Sequence, residues 1–269
     1  MRTTTKYASC KAPDRGDLKT LMINDPPFKW NSASSSITGN VRKINEDSCL
    51  DMPAVALWVV ADGMGGHNAG DVASRMITES LAMVRPKERP SSMIDDVENR
   101  LLAVNNVLYR RSVDDPSAGL SGSTVAVLLV FDRYTVSMWA GDSRVYRSRG
   151  TVLEQITTDH SEVQEHAVSG IANLSITSGG IEPAQNVITR AVGGTEQLHA
   201  DIELRELQDG DHYLICSDGL YKELNEAQIG QYLSTYEPRA ACKAMIEHAQ
   251  KGECIDNVTV VTVQFREIR

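Results

Sequence analysis

The chain has 269 residues, of which 41% are hydrophobic and 23% are charged, a composition typical of one large globular domain or two small ones. The formal net charge of −9 argues against a nucleic-acid binder, because such proteins rely on a basic face. No apolar run approaches the ~20 residues of a membrane span, and no apolar stretch follows the basic N-terminal residues, so neither a span nor a signal peptide is predicted. Five scattered cysteines without a CxxC pair favour reduced thiols and a cytoplasmic protein.

Taken in chain order, the pattern predicts a polar extension over residues 1–35 that is loose or holds a first strand, followed by one domain over 36–269. Apolar or alternating runs predict strands at 55–61, 122–131, 134–140, 212–216 and 257–265. Apolar residues at helical spacing predict helices at 69–84, 91–112 and 237–250. Two helices follow one strand and the later strands come in series, which favours antiparallel sheets with helices packed outside.

Several aspartates stand at the edges of predicted strands or beside glycines: Asp47, Asp62, Asp142, Asp218 and Asp256. One such aspartate would commonly form a turn or cap a helix, as Asp218 could do before "GLYKEL". Together they would repel one another, and divalent metal ions are the economical compensation. An all-oxygen set favours Mg²⁺ or Mn²⁺, and Gly63 leaves a backbone carbonyl accessible as a further ligand.

Seven motifs occur in an order that resembles bacterial members of the metal-dependent serine/threonine protein phosphatases of type 2C, the PPM family. They are "GNVRKINED", "VVADGMGGHNAG", "AGDSRVYRSRG", "ITTDHSEVQ", "NVITRAVGG", "LICSDGLYKEL" and "DNVTVVTV", and the resemblance covers roughly residues 36–266. It implies an α+β fold, a four-layer α-β-β-α sandwich of two antiparallel sheets flanked by helices. It also implies phosphorylated protein substrates, and a cognate bacterial Ser/Thr kinase with its substrates as partners.

The same resemblance implies a site with two Mn²⁺ or Mg²⁺ ions and a bridging water that attacks phosphoserine or phosphothreonine. Its implied metal ligands are Asp47, Asp62, the Gly63 carbonyl, Asp218 and Asp256. Glu46 is implied to bind an ion through water, and Arg42 to grip the phosphate. Asp142 is implied as the ligand of a third ion, although it could instead brace Arg144 in a turn.

Two segments depart from the family pattern. Met64 stands where some relatives have a histidine that is proposed as general acid, and His67 further along favours a packing role. A divergent flap over 162–185 has Glu182-Pro183 in place of a His-Pro pair and a Gly179-Gly180 pair that predicts mobility. These departures leave the substrate open.

Two other functions remain as alternatives. In a serine esterase, Ser143 after its strand would be the nucleophile and Asp209 with His212 would supply the base. In a pseudophosphatase, the same fold would bind phosphorylated partners without turnover. The esterase leaves the four core aspartates unexplained, and the pseudophosphatase predicts their loss, yet all four are present.

Overall fold

The computed structural model describes residues 27–65, 69–115, 121–161 and 187–268. Its strands are β1 Phe28–Ile37, β2 Asp47–Met52, β3 Leu57–Gly65, β4 Ser121–Ser123, β5 Val125–Phe131, β6 Tyr134–Ala140, β7 Arg144–Arg149, β8 Val152–Gln155, β9 Asp201–Glu206, β10 His212–Cys216 and β11 Val258–Glu267. Its helices are α1 Ala69–Leu81, α2 Pro90–Asp114, α3 Asp218–Glu223, α4 Glu226–Thr235 and α5 Pro238–Lys251. Among the described residues, no helix is both long and apolar enough to cross a bilayer.

The strands form two sheets that pack face to face. One sheet has the order β1-β11-β10-β7-β8, and the other has the order β2-β3-β5-β6-β9 with β4 beside the end of β3. Every strand pair in the described residues is antiparallel. Helices α1 and α2 share a core with the second sheet, and α3, α4 and α5 share one with the first. The predicted four-layer α-β-β-α fold is therefore confirmed.

The apolar run of β3 is explained by burial on both of its faces. Leu57, Val59 and Ala61 pack into the core under α1 and α2, whereas Trp58 and Val60 pack into the core between the sheets. Side chains alternate in direction along a strand, so a central strand covered on both sides has no polar face. The buried residues 57–61 therefore fix the position of β3 up to Asp62, which follows them directly.

The predicted helices follow the same logic of burial. The stripe of α2 that includes Ile94, Val97, Leu101 and Leu108 is buried against the second sheet, as its three- and four-residue spacing predicts. The helix begins with Pro90 in its first turn, where the missing N–H costs no hydrogen bond. The three predicted helices are thus observed with ends that differ by a few residues.

The structure corrects several predicted boundaries. The extension over 1–35 was expected to be loose or to hold a first strand; β1 begins in it at Phe28 and pairs along its whole length with β11, so the boundary at 35/36 falls inside that strand. The predicted strand 122–131 is two strands, because β4 pairs with the last three residues of β3 and β5 with its first four. Because β4 pairs with residues 63–65, β3 does not end before Asp62 as predicted but continues to Gly65.

Candidate active site

Two of the predicted ligands, Asp47 and Asp62, come from neighbouring strands. They are direct cross-strand partners in β2 and β3, and such partners in an antiparallel pair lie on one face with Cα atoms about 5 Å apart. Like charges at that spacing are destabilising. Burial raises the pKa of Asp47 to about 6, and burial together with the charge of Asp47 raises the pKa of Asp62.

The first turn of α1 closes one side of the site by packing on a pair of glycines. A Cβ atom on Gly63 would fall far inside van der Waals contact with the Gly70 carbonyl oxygen. A Cβ atom on Gly70 would lie 2.6 Å from Oε1 of Glu46. The backbone of α1 can therefore approach the end of β3 this closely only because both residues lack a side chain.

The other sheet brings Asp218 and Asp256 to the same place. Asp218 is the first residue of α3, which follows β10, and Asp256 stands just before β11. Ser217 at the end of β10 donates a hydrogen bond of 2.7 Å from its Oγ to Oδ2 of Asp47. That bond joins the two sheets at the site.

Asn257 fixes the loop that carries Arg42 and Glu46. Its side-chain oxygen accepts the Glu46 N–H at 2.9 Å, and its Nδ2 donates to the carbonyls of Thr38 and Ile44 at 2.9 and 3.0 Å. One side chain thus satisfies three backbone groups of the loop. Glu46 is held beside the first turn of α1, and burial raises its pKa.

Two cations face the carboxylates. Arg42 forms a two-pronged ion pair with Asp256, at 2.9 Å from Nε to Oδ1 and 3.0 Å from Nη2 to Oδ2, and its side chain is 49% exposed. Lys222 pairs with Oδ2 of Asp218 one helical turn earlier on α3. The predicted Arg42 therefore lies at the site, together with a lysine that was not predicted.

These residues surround a solvent-open cavity of about 420 Å³. The predicted residues that line it are Arg42, Glu46, Asp62, Gly63, Asp218 and Asp256, and Met64, Lys222 and Asn257 line it as well. Asp47 lies beneath, with 8% of its surface exposed. A cavity of this size admits a phosphorylated side chain, with a cationic group at its mouth and carboxylates at its floor.

The donor set fits divalent cations. Oδ1 of Asp47, Asp218 and Asp142 is in each case buried without a hydrogen-bond partner, although buried polar atoms are almost always paired. Such oxygens suit hard cations. Within the described residues, no group of three or more His, Cys, Asp or Glu side chains is arranged as a ready metal cage, and two of the carboxylates, on Asp218 and Asp256, are paired with Lys222 and Arg42.

Asp142 lies beside this cluster and is not among the described residues that line the cavity. Burial, and then the charge of Asp218, raises its pKa to about 6. The alternative that Asp142 braces Arg144 is wrong: Arg144 pairs with Asp159, with Nη2 and Oδ2 2.7 Å apart. Tyr221 instead donates a hydrogen bond of 3.1 Å to the backbone carbonyl of Asp142.

The esterase reading is contradicted by distance. Ser143 is buried and hydrogen-bonded to Thr124 at 2.7 Å. His212 pairs with Ser148 at the far end of β7, five residues and about 16 Å along the strand from Ser143. Its Nδ1 bonds the Leu233 carbonyl at 2.8 Å, so it cannot serve this serine as a base.

Other predictions fall outside the described residues. His67 lies in the gap at 66–68, and the flap at 162–185, including Gly179-Gly180 and Glu182-Pro183, lies in the gap at 162–186.

The sequence reasoning missed three residues of the site. Lys222, Ser217 and Asn257 each contact a predicted ligand or the loop that carries one. Two of them had a local signal: Asn257 directly follows Asp256, and Lys222 follows Asp218 by four residues, which places Lys222 and Asp218 on one helical face. The bond from Ser217 to Asp47 joins residues far apart in sequence and left no local signal.

Comparisons with known proteins agree with the fold and show the family. A family model described as protein phosphatase 2C matches residues 40–251. Serine/threonine protein phosphatase PstP of Mycobacterium tuberculosis is 33% identical over 229 residues, which is 85% of this chain and 44% of PstP. The chain thus spans less than half the length of that relative.

For two solved structures, the alignment with this chain covers almost the whole of the solved protein. PppA, a key regulatory component of T6SS in Pseudomonas aeruginosa, has a TM-score of 0.80 and 36% identity, covering 89% of this chain and 98% of PppA. The catalytic domain of serine/threonine protein phosphatase PstP, in complex with 2 manganese ions, has a TM-score of 0.76 and 31% identity, covering 89% and 100%. The predicted enzyme class, a protein-serine/threonine phosphatase, agrees with the name of PstP. The chain belongs to the protein phosphatase 2C family, in the bacterial group that its motifs resemble.

Proposed function

We propose that this protein is a metal-dependent phosphatase that hydrolyses phosphoserine and phosphothreonine in other proteins. The observation that carries the proposal is the group of unpaired carboxylate oxygens beneath a solvent-open cavity with Arg42 at its mouth. A neutral or apolar ligand would form no favourable electrostatic interaction with these carboxylate oxygens. A phosphate ester that arrives with divalent cations would be bound by both halves of the cavity.

The residues that would hold two Mn²⁺ or Mg²⁺ ions are Asp47, Asp62, the Gly63 carbonyl, Asp218 and Asp256, with Glu46 acting through water. When bound, the ions would supply the Lewis acidity that activates a water for in-line attack on phosphorus and offsets the phosphoryl charge. Ser217 would keep Oδ2 of Asp47 occupied, which leaves Oδ1 available to a metal. Asn257 would hold Glu46 in reach.

Arg42 would bind the phosphoryl oxygens. Its side chain is about half exposed at the mouth of the cavity, and the planar guanidinium can donate two parallel hydrogen bonds to a phosphate as it now does to Asp256. Met64 also lines the cavity, and a thioether has no proton to give. Met64 would therefore not act as the general acid, and we expect water to protonate the leaving alkoxide.

Phosphorylated proteins are the substrate class that we propose, with a Ser/Thr kinase and the proteins it modifies as partners. The support is the family, whose named members here act as serine/threonine protein phosphatases. The open cavity also suits a side chain presented by a macromolecule, because nothing among its described lining residues encloses a small molecule on all sides.

The test is phosphate release from a phosphothreonine peptide. We expect turnover with Mn²⁺ or Mg²⁺, loss of turnover with chelator, and a loss of at least ~100-fold in Asp62→Asn. The matched control is Asp95→Asn, which makes the same chemical change on the exposed surface of α2 and should leave the rate unchanged. Tight peptide binding without turnover would identify a pseudophosphatase and contradict the proposal.

A further inference from the structure

Lys222 occupies a position at the site that the predicted chemistry does not use. It stands one turn after Asp218 on α3, and its ammonium pairs with Oδ2 of Asp218. Its side chain is 44% exposed and lines the same cavity as Arg42. The pair leaves Asp218 with one further oxygen, Oδ1, which is buried and has no hydrogen-bond partner.

The ammonium also acts on Asp142. The charge of Lys222 opposes the rise in the pKa of Asp142 that burial and Asp218 cause. Tyr221, the residue before Lys222 on α3, donates a hydrogen bond of 3.1 Å to the backbone carbonyl of Asp142, which places Asp142 against the same helix. Lys222 thus compensates the pair of carboxylates formed by Asp142 and Asp218.

A second cation among the described residues, Arg144, lies two residues after Asp142 and has other partners. Arg144 donates three hydrogen bonds to the carboxylate of Asp159 and one to the Tyr146 hydroxyl. Its guanidinium lies 3.6 Å from the centre of the Tyr221 ring, and Tyr221 in turn bonds only the backbone carbonyl of Asp142 among its described partners. Among the described residues, the carboxylate of Asp142 is therefore left to Lys222, or it is available to an ion from solution.

We propose that the ammonium of Lys222 takes the place of a third divalent ion at Asp142 and Asp218, so that the site binds two ions. A third ion would need the carboxylate of Asp142 and the oxygen of Asp218 that Lys222 already holds. A tethered ammonium competes at a high effective concentration and repels an incoming divalent cation. The inference rests on the proposed function, because it presumes that the other two ions bind.

The test compares three Lys222 variants and one control variant with the native protein. Lys222→Met removes the ammonium and keeps most of the aliphatic stem. Lys222→Gln also removes the charge but ends in a neutral polar amide, and it serves as a second variant if Lys222→Met folds poorly. Lys222→Arg retains the charge. Lys243→Met is the matched control, since Lys243 also forms an i,i+4 pair, with Glu247 on α5, and is 76% exposed.

The measurement is the number of Mn²⁺ ions bound per chain, by equilibrium dialysis with elemental analysis. We expect two in the native protein, in Lys222→Arg and in Lys243→Met, and three in Lys222→Met or Lys222→Gln. Three ions in the native protein would overturn the inference, as would no gain in either neutral variant. Phosphate release is measured in parallel.

The two proposals fail in different ways. If the native protein hydrolyses the phosphopeptide but binds three ions, the role of Lys222 is wrong and the proposed function stands. If neither the native protein nor any variant releases phosphate, and Lys222→Met or Lys222→Gln still binds one ion more than the native protein, the role of Lys222 stands and the proposed function is wrong. A native protein that binds no ion overturns both.

Discussion

Burial raises the pKa of Asp62 well above its ordinary value. The strand that carries it is buried on both faces, and its charge is opposed by Asp47 and then by Asp218, Asp142 and Asp256. A sequence selected for stability alone would not gather carboxylates in this way. Such a loss of folding stability is typical of a site that binds a charged ligand, because the arrangement that suits the ligand destabilises the protein without it.

Asp62→Asn is expected to stabilise the protein in the presence of chelator while it abolishes turnover. The substitution removes the charge and keeps the shape, and we expect a gain of about 1–3 kcal/mol in the free energy of unfolding at pH 7.5. Thermal or urea denaturation measures the gain. Added Mn²⁺ should then stabilise the native protein and not the variant.

The pH dependence of that gain has a definite sign. The folded chain raises the pKa of Asp62, so below about pH 4, the range of an unfolded aspartate, the carboxyl is protonated in both states and the gain approaches zero. As pH rises toward the folded pKa, the native protein loses stability relative to the variant. A gain in Asp62→Asn that is independent of pH would contradict the charge argument.

At the scale of elements, the site depends on how closely α1 approaches the end of β3. Gly63 faces Gly70 across that contact, and both lie against Glu46. The contact fixes the Gly63 carbonyl and the loop before β2 in a single arrangement. A helix that was displaced by one methyl group would move two proposed metal-binding groups at once.

Gly63→Ala is expected to destabilise the fold by about 1–3 kcal/mol and to weaken Mn²⁺ binding, since the added Cβ meets the backbone of α1 and cannot be accommodated by a rotamer change. Chemical denaturation and a Mn²⁺ titration check this. Gly230→Ala in α4 is the matched control: its Cβ would meet only Leu153 at 3.5 Å, and it should gain about 0.5–1 kcal/mol. Equal effects of the two variants would refute the proposed packing constraint.

The elements that sequence reasoning found are those with an internal signal. Strand β5 is apolar throughout, and α2 carries a continuous stripe, so burial could be read from the residues themselves. Strands β2, β7 and β9 were missed because they carry charged residues at their ends or edges, as in "DIELRE". What makes them strands is the partner that each finds in the sheet, and that partner is distant in sequence.

The residues of the site also divide into those with a local sequence signal and those without one. Asp62, Asp218 and Asp256 stand out because each adjoins an apolar strand or a glycine. The pairing of Asp47 with Asp62 depends on the register between β2 and β3, which local sequence does not reveal. Asn257 was overlooked although it adjoins a predicted ligand, because its role is to bind backbone groups about 210 residues away in the chain.

At the scale of the molecule, the site lies where both sheets end. Asp47 and Asp62 come from one sheet, and Asp218 and Asp256 flank strands of the other. Below them the sheets are joined by an aromatic cluster, in which Trp58 packs edge-on against Trp30 and Phe265 with ring centres 6.1 and 6.2 Å away. The cluster holds the sheets together, and the ions would join them again at the end of the sandwich.

Trp58→Leu separates these two connections. Trp58 precedes Asp62 by four residues of β3, about 13 Å along the strand, so effects at the two places should add. We expect the variant to lose about 2–4 kcal/mol of stability through the cavity that it creates. Saturating Mn²⁺ should nevertheless raise its free energy of unfolding by the same amount as in the native protein, within about 0.5 kcal/mol. Urea denaturation of both proteins with and without Mn²⁺ measures the difference. A smaller Mn²⁺ effect in Trp58→Leu would show that the carboxylates are held in place by the packing between the sheets, and not by their own strands, loops and hydrogen bonds.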